Sequence, residues 1–238
     1  KEFSPSEMEE ILKNLGVAIL GRNHVIVVDA GKSNYASSLS LLRRQLEKII
    51  IDCKPVIYDE KLFALVSRKP SDKSFYSELS RLSAFCRKNG FFGAVSNSFC
   101  KISDLQKYYT QALKTIDIGL KIEPSPFLLA YHDLALSHIA DTFCQAVDIG
   151  SFCHPDIKFL YEYDCKNSTG YMKTLYTFLL YERSIVATSK ALHLHRNTLI
   201  YRLKKIKEII HADLNDYHER QYIIASIRML EYCNKLEK

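Results

Sequence analysis

Arg196, Asn197 and Thr198 stand side by side near the end of the chain, followed by Tyr201, Arg202, Lys204 and Lys205. Each of these residue types has a use on a nucleic-acid duplex. Arg can take guanine with two parallel hydrogen bonds, Asn can take adenine likewise, and Thr can meet a thymine methyl group. Lysines serve phosphates, which position a protein without reading sequence. From Arg183 to Lys207 there are seven full positive charges and no acid. The whole chain carries +6, so the remainder sums to −1. A basic balance confined to one segment points to a polyanion partner.

Positioning these residues requires a helix. On a helical wheel Leu203, Ile206 and Ile210 lie within about 40° of Leu199, and the opposite face carries Asn197, Tyr201, Lys204 and Lys205. The spacing predicts a helix over Arg196–Ile210 with a core seam and a basic face. Upstream, Ser184 is placed to cap a short helix ending near Leu192, with Ala187, Ala191 and Leu192 as its inner positions. Only His193, Leu194 and His195 separate the two helices, and Leu194 is expected to plug the angle between them. Short helix, tight turn and longer basic helix make the helix-turn-helix plan for double-stranded DNA. Arg196, Asn197, Thr198 and Tyr201 are then the base-proximal residues, with His195 beside them. Arg202, Lys204, Lys205 and Lys190 serve phosphates, assisted by Ser184 and Thr188 at the short helix. A lone basic helix is often only solvated surface; the partner helix, the turn and the missing acids favour DNA. One such module buries little surface, so a homodimer on two half-sites is expected.

The 238 residues allow one large or two ordinary domains. No apolar run approaches the roughly 20 residues of a membrane span, and no secretory segment opens the chain. The seven cysteines are scattered, odd in number and without a CxxC, which points to reduced thiols and a cytoplasmic location. Asn167-Ser168-Thr169 is then a glycosylation sequon in form only. The chain does not begin with Met and reads as a fragment of something longer.

Ser6 with Glu9 reads as the capping box of a lead helix that carries Met8, Ile11, Leu12 and Leu15. Val25 to Val28 form a continuous β-branched run, hence a buried strand. Asn34–Ile50 is a helix with Leu39, Leu42, Leu46 and Ile49 on one face. PVIYDEKLFALVS reads as a hairpin turning at Asp59-Glu60. Asp72–Lys88 is a helix with Leu79, Leu82 and Phe85 inside, stopped by Asn89-Gly90. FFGAVSNS is a strand, and Ser103 with Gln106 caps a helix running to about Gly119. The order β-α-β-β-α-β-α is the ferredoxin-like plan, an antiparallel sheet covered by helices on one face. Glu123-Pro124-Ser125-Pro126 marks a boundary, and everything after Phe127 reads helical, through helices at Tyr131–Phe143, Pro155–Tyr163, Ser168–Tyr181 and Asp216–Cys233 besides the two above. The fold class is α+β: a lead helix and linker over 1–22, an α/β domain over 23–122, a helical connector over 123–167 and an all-α helix-turn-helix domain over 168–238.

ERSIVATSKALHLHRNTLIYRLKKIKEII resembles the C-terminal helix-turn-helix of the PucR/CdaR family, bacterial regulators of purine catabolism and sugar-diacid use. The small residues, then HRNTL, then YRL-K-I carry that resemblance, and the segment is also similar to the factor-for-inversion-stimulation type of helix-turn-helix. HPDIKFLYEYDCKNSTGYMKTLYTFLLYE and NDYHERQYIIASIRML resemble the family's approach segment and closing helix, so the likeness covers about Cys153 to Leu230. QKYYTQALKTIDIG resembles its Tyr-x-x-Ala-x-x-Ala helix and extends the likeness over Asn23 to Gly119. The resemblance implies a degenerate GGDEF-like domain before the helix-turn-helix. It also implies control of a catabolic operon by an unknown small-molecule effector, sensed by a domain absent from this chain.

Rival chemistries lack parts. A GGDEF cyclase needs a glycine pair in its hairpin and carboxylates for magnesium. Tyr58 to Phe63 contains no glycine, and Asp29, at the end of the first strand, has no second carboxylate beside it. Ala30-Gly31-Lys32-Ser33 ends like a phosphate-binding loop, but position 26, where its first glycine belongs, is Ile. His193 and His195 lack a third metal ligand nearby. Tyr108-Tyr109 and Tyr161 with Tyr163 read as core and interface aromatics rather than a platform for single strands. No catalytic residue, metal or cofactor is expected. The alternatives are a GGDEF-like nucleotide-binding or cyclase domain with a DNA-binding appendage, and a non-specific nucleoid architectural protein.

Overall fold

The computed structural model describes residues 16, 18–29, 35–58, 60–122, 127–143 and 147–236. The lead helix, the Ala30–Ser33 loop and the Glu123–Pro126 break lie outside the described residues. The chain divides into two compact units, Lys1–His138 and Ile139–Lys238.

In the first unit the elements are β1 (Arg22–Asp29), α1 (Tyr35–Ile49), β2 (Val56–Tyr58), β3 (Lys61–Arg68), α2 (Ser74–Asn89), β4 (Phe92–Val95), a 3₁₀ turn (Ile102–Asp104), α3 (Leu105–Ile122) and β5 (Leu128–Ala130). The strands lie in the order β2-β3-β1-β4-β5. All neighbours are antiparallel except β4 and β5. The hairpin pairs Tyr58 with Lys61, and Glu60 takes φ 58° in its turn.

The expected one-sided sheet is wrong: helices cover both faces. Ile26, Val28, Leu62, Ala64 and Val66 meet Leu39, Leu42 and Leu46 of α1 and Leu82 of α2. Val25, Val27 and Leu65 meet Tyr109, Ala112 and Ile116 of α3 on the other side. The unbroken Val25–Val28 run is the trace of this arrangement, since a half-solvated strand would alternate.

A second correction is β5, which lies where the sequence reads helical. Gly93 pairs with Leu128 and Ala94 with Leu129. Two glycines admit this strand. A Cβ at Gly93 would stand 2.7 Å from Leu128 Cδ1, and one at Gly119 would stand 2.0 Å from Leu129 Cδ1. Gly119 is therefore a close-approach residue inside α3, which continues to Ile122, and Ser103 lies within the 3₁₀ turn rather than capping the helix.

The buried line of α2 is Phe75, Glu78, Leu82 and Cys86, rotated from the expected Leu79-Leu82-Phe85 face. Glu78 is only 1% exposed because Arg68 Nη2 donates to its Oε2 at 2.7 Å. The same guanidinium donates to the Ile51 carbonyl at 2.8 Å and to the Ser67 carbonyl at 3.0 Å, tying β3, α2 and the chain after α1 together. The helix stops as expected at Gly90, in the left-handed region at φ 71°. Burial pushes the Cys53 and Cys86 thiols up to about 12, so neither is a thiolate at neutral pH.

The second unit takes over within α4 (Tyr131–Phe143) and is helical: a 3₁₀ turn (Ile149–Phe152), α5 (Pro155–Asn167), α6 (Tyr171–Leu180), α7 (Ile185–Ala191), α8 (Arg196–Ile209) and α9 (Tyr217–Leu236). Its core holds Ile157, Leu160, Leu175, Leu199, Ile206, Ile223 and Ile227. An α/β unit followed by a helical one makes the chain α+β. No described helix is long and apolar enough to cross a membrane.

Removing one partner of a buried ion pair leaves the other charge stranded. Glu78→Ala is expected to lower the unfolding free energy by about 3–5 kcal/mol in urea titrations. A loss below about 1 kcal/mol would show that the pair is exchanged with solvent at little cost.

Candidate nucleic-acid interface

The site is built from two helix ends and the turn between them. At the end of α6, Glu182 (φ 49°) and Arg183 (φ 65°) turn the chain through the left-handed region. Their N–H groups donate to Leu179 O at 3.1 Å and Phe178 O at 2.8 Å. Ser184 then caps α7 as expected, its Oγ accepting from Ala187 N at 3.2 Å. At the far end of α7 the N–H of His193 donates to Lys190 O at 3.2 Å and that of Leu194 to Ser189 O at 2.9 Å. This is a Schellman closure with His193, at φ 52°, in the position that usually falls to glycine. Half-buried Leu194 follows, and His195 caps α8, its Nδ1 accepting from Asn197 N at 3.3 Å.

Leu199, Leu203 and Ile206 of α8 point inward. Arg196, Asn197, Thr198, Tyr201 and Lys204 are exposed, as are Lys190, Ser184 and His195. The helical period brings Arg196, Asn197, Tyr201 and Lys204 onto one face. Ile200, absent from the sequence-derived set, sits in the middle of that face and is 45% exposed. The wheel that placed the others carried this signal too: an apolar residue on the polar side.

Three expected residues are engaged elsewhere. Arg202 is half-buried and its Nη1 donates to Thr174 Oγ1 of α6 at 3.2 Å. Lys205 Nζ lies 2.7 Å from Glu208 Oε2, a contact that raises the lysine and lowers the carboxyl from their ordinary values. Thr188 is fully buried, and its hydroxyl has no partner among the described residues, so it cannot assist at a phosphate. Arg183, counted in the basic run, donates to Leu214 O at 3.2 Å and Asn215 Oδ1 at 2.9 Å. Of the seven charges, Lys190, Arg196, Lys204 and Lys207 make no hydrogen bond or ion pair among the described residues, although the Glu208 carboxylate also feels Lys204.

Side chains outside α7 and α8 hold the helices around them and the exit of α8 in place. Asp164 of α5 accepts from Tyr171 N and Met172 N, both at 2.8 Å, and caps α6. Asp156 Oδ2 accepts from His211 N at 2.7 Å and Ala212 N at 2.9 Å, fixing the chain as it leaves α8. His154 Nε2 meets Glu219 Oε2 of α9 at 2.9 Å. In the first unit Asp29 lies 3.7 Å from Lys61 Nζ. No group of three or more His, Cys, Asp or Glu among the described residues could hold a metal ion.

Residues 171–229 match the PucR C-terminal helix-turn-helix domain. The chain is 27% identical over 140 residues to the proline-responsive transcriptional activator PutR of Bacillus subtilis, covering 58% of this chain and 34% of that one. It is 27% identical over 139 residues to the carbohydrate diacid regulator of Escherichia coli, covering 58% and 35%. It is 26% identical over 150 residues to the purine catabolism regulatory protein of Bacillus subtilis, covering 63% and 28%. The chain thus spans about a third of the length of the curated relatives it matches.

A buried hydroxyl without a partner costs stability that an apolar group of similar shape does not. Thr188→Val is expected to raise the unfolding free energy by about 1 kcal/mol. A loss of stability in urea would mean that the hydroxyl has a partner in solution.

Proposed function

From a chain that carries the PucR-type helix-turn-helix domain, we propose a sequence-specific, DNA-binding transcription regulator of the PucR/CdaR type. It acts in the cytoplasm, as a homodimer on two half-sites, on a catabolic operon under a small-molecule effector. The observation that carries this reading is the α8 face, where exposed Arg196 and Lys204 flank Asn197 and Tyr201 behind a capped, tight turn. Arg196, Asn197, Thr198 and Tyr201 face base edges. Lys190 and Lys204 take phosphates, joined by the Ser184 hydroxyl and the outer edge of His195. Arg202 holds α8 to α6, and Lys205 reaches a phosphate only by leaving Glu208.

The first unit fits a ferredoxin-like, degenerate GGDEF-like domain without catalysis. The order β2-β3-β1-β4, with β1 antiparallel to both neighbours, supports that plan. The glycine-free hairpin and the Asp29–Lys61 pair speak against a cyclase.

The test is to select a binding site from random duplexes with the whole chain, then compare it with a scrambled duplex at two salt concentrations. Arg196→Ala is expected to cost about 1–3 kcal/mol on the selected site and to relax its base preference. Unchanged affinity and preference would reverse the docking orientation. Lys204→Ala is expected to weaken binding on every sequence and flatten the salt slope by about one unit. An unchanged slope would remove Lys204 from the phosphate set, and equal binding to selected and scrambled duplexes would overturn sequence reading altogether.

A further inference from the structure

The α/β unit holds a cavity of about 200 Å³, remote in chemistry from anything the basic helix needs. It opens where β3, β4 and β5 end, beside the starts of α2 and α4. β4 and β5 are the parallel pair of this sheet, and the crevice outside the carboxyl ends of parallel strands is where open α/β sheets bind ligands. Helices starting there turn their positive ends toward it.

The lining divides by chemistry. Phe75, Leu79 and Val95 give it an apolar side. Arg22, Asn97 and Ser98 stand exposed at its mouth as hydrogen-bond donors, and no described residue engages these three side chains by hydrogen bond or ion pair. His24 lies against Phe75 with ring centroids 4.6 Å apart, and its Nδ1 is 3.4 Å from Ser96 O, which leaves Nε2 as its uncommitted nitrogen. Burial holds His24 below its ordinary value, so at neutral pH Arg22 is the uncompensated charge. The other charges are already spent on each other. Arg68 is held by Glu78, and Asp72 accepts from Ser74 N at 2.8 Å and lies 3.6 Å from Arg68 Nε. The buried Arg68–Glu78 pair fixes this wall, as a binding site requires.

We propose that this cavity binds a small organic carboxylate. The Arg22 guanidinium takes the carboxylate, Asn97 and Ser98 add neutral donors, and the carbon skeleton lies on Phe75, Leu79 and Val95. At about 200 Å³ the cavity lies below the roughly 300–1,000 Å³ of drug-sized ligand sites, which favours a short-chain acid over a nucleotide. An arginine suits the planar acceptor, which it can engage through two parallel hydrogen bonds.

The experiment is calorimetric titration of the whole chain with succinate, with succinamide as its uncharged counterpart and inorganic phosphate as a non-carboxylate anion. Saturable binding of one succinate per chain is expected, with no heat from succinamide. Arg22→Ala should weaken succinate at least about 10-fold. Leu79→Phe, which fills the cavity, should abolish binding while leaving the thermal unfolding transition in place. No saturable binding of succinate, equal binding of succinamide, or an unchanged affinity in Arg22→Ala would overturn the proposal. Phosphate binding in the absence of succinate binding would overturn it as well, in favour of an inorganic oxyanion site. None of these outcomes depends on DNA, so the regulator reading stands or falls separately.

Discussion

The inward seam of Leu199, Leu203 and Ile206 decides what α8 can show to its surroundings. A helix with three core positions in two turns has little more than half its circumference left over. On that remainder the chain places Arg196, Asn197, Ile200, Tyr201 and Lys204 and puts its first acid only at Glu208. Burial on one side and display on the other are a single constraint. Moving the seam one residue toward the C-terminus would turn Ile200 and Lys204 of the reading face into the core.

Charge seen in the sequence and charge available on the surface differ. The basic run looks uniform, yet Arg183 and Arg202 hold neighbouring segments and Lys205 leans on Glu208. Arginine suits such internal work because its planar fork satisfies several acceptors at once. The same use recurs in the α/β unit, where Arg68 joins a carbonyl at the end of β3, one in the chain after α1 and a buried glutamate. The cations left over are mostly lysines, with Arg196 as the arginine on the reading face.

The long periodic segment α8 was legible from its leucine and isoleucine spacing, and short α7 from its Ser184 cap and the tight turn that follows it. The order of strands and helices up to α3 was legible for the same reason. What escaped had no periodic trace. β5 is three residues long and exists because Gly93 and Gly119 leave space for its leucines, a relation between positions far apart in sequence. Glu78 looks like a surface residue until Arg68 is known to reach it. Thr188 looks like a solvent-side hydroxyl because a seven-residue helix is too short to define its own inner face. His154, Asp156 and Asp164 lie in a segment read only by its resemblance, and the fold explains them, as caps and clamps on the helices that follow.

Those clamps bear on modularity. Asp164 starts α6 and Asp156 secures the exit from α8, while both belong to α5. The two-helix reader is therefore not a portable part. A graft of α7 and α8 alone onto another scaffold would inherit the reading face without the α5 carboxylate that fixes the exit from α8.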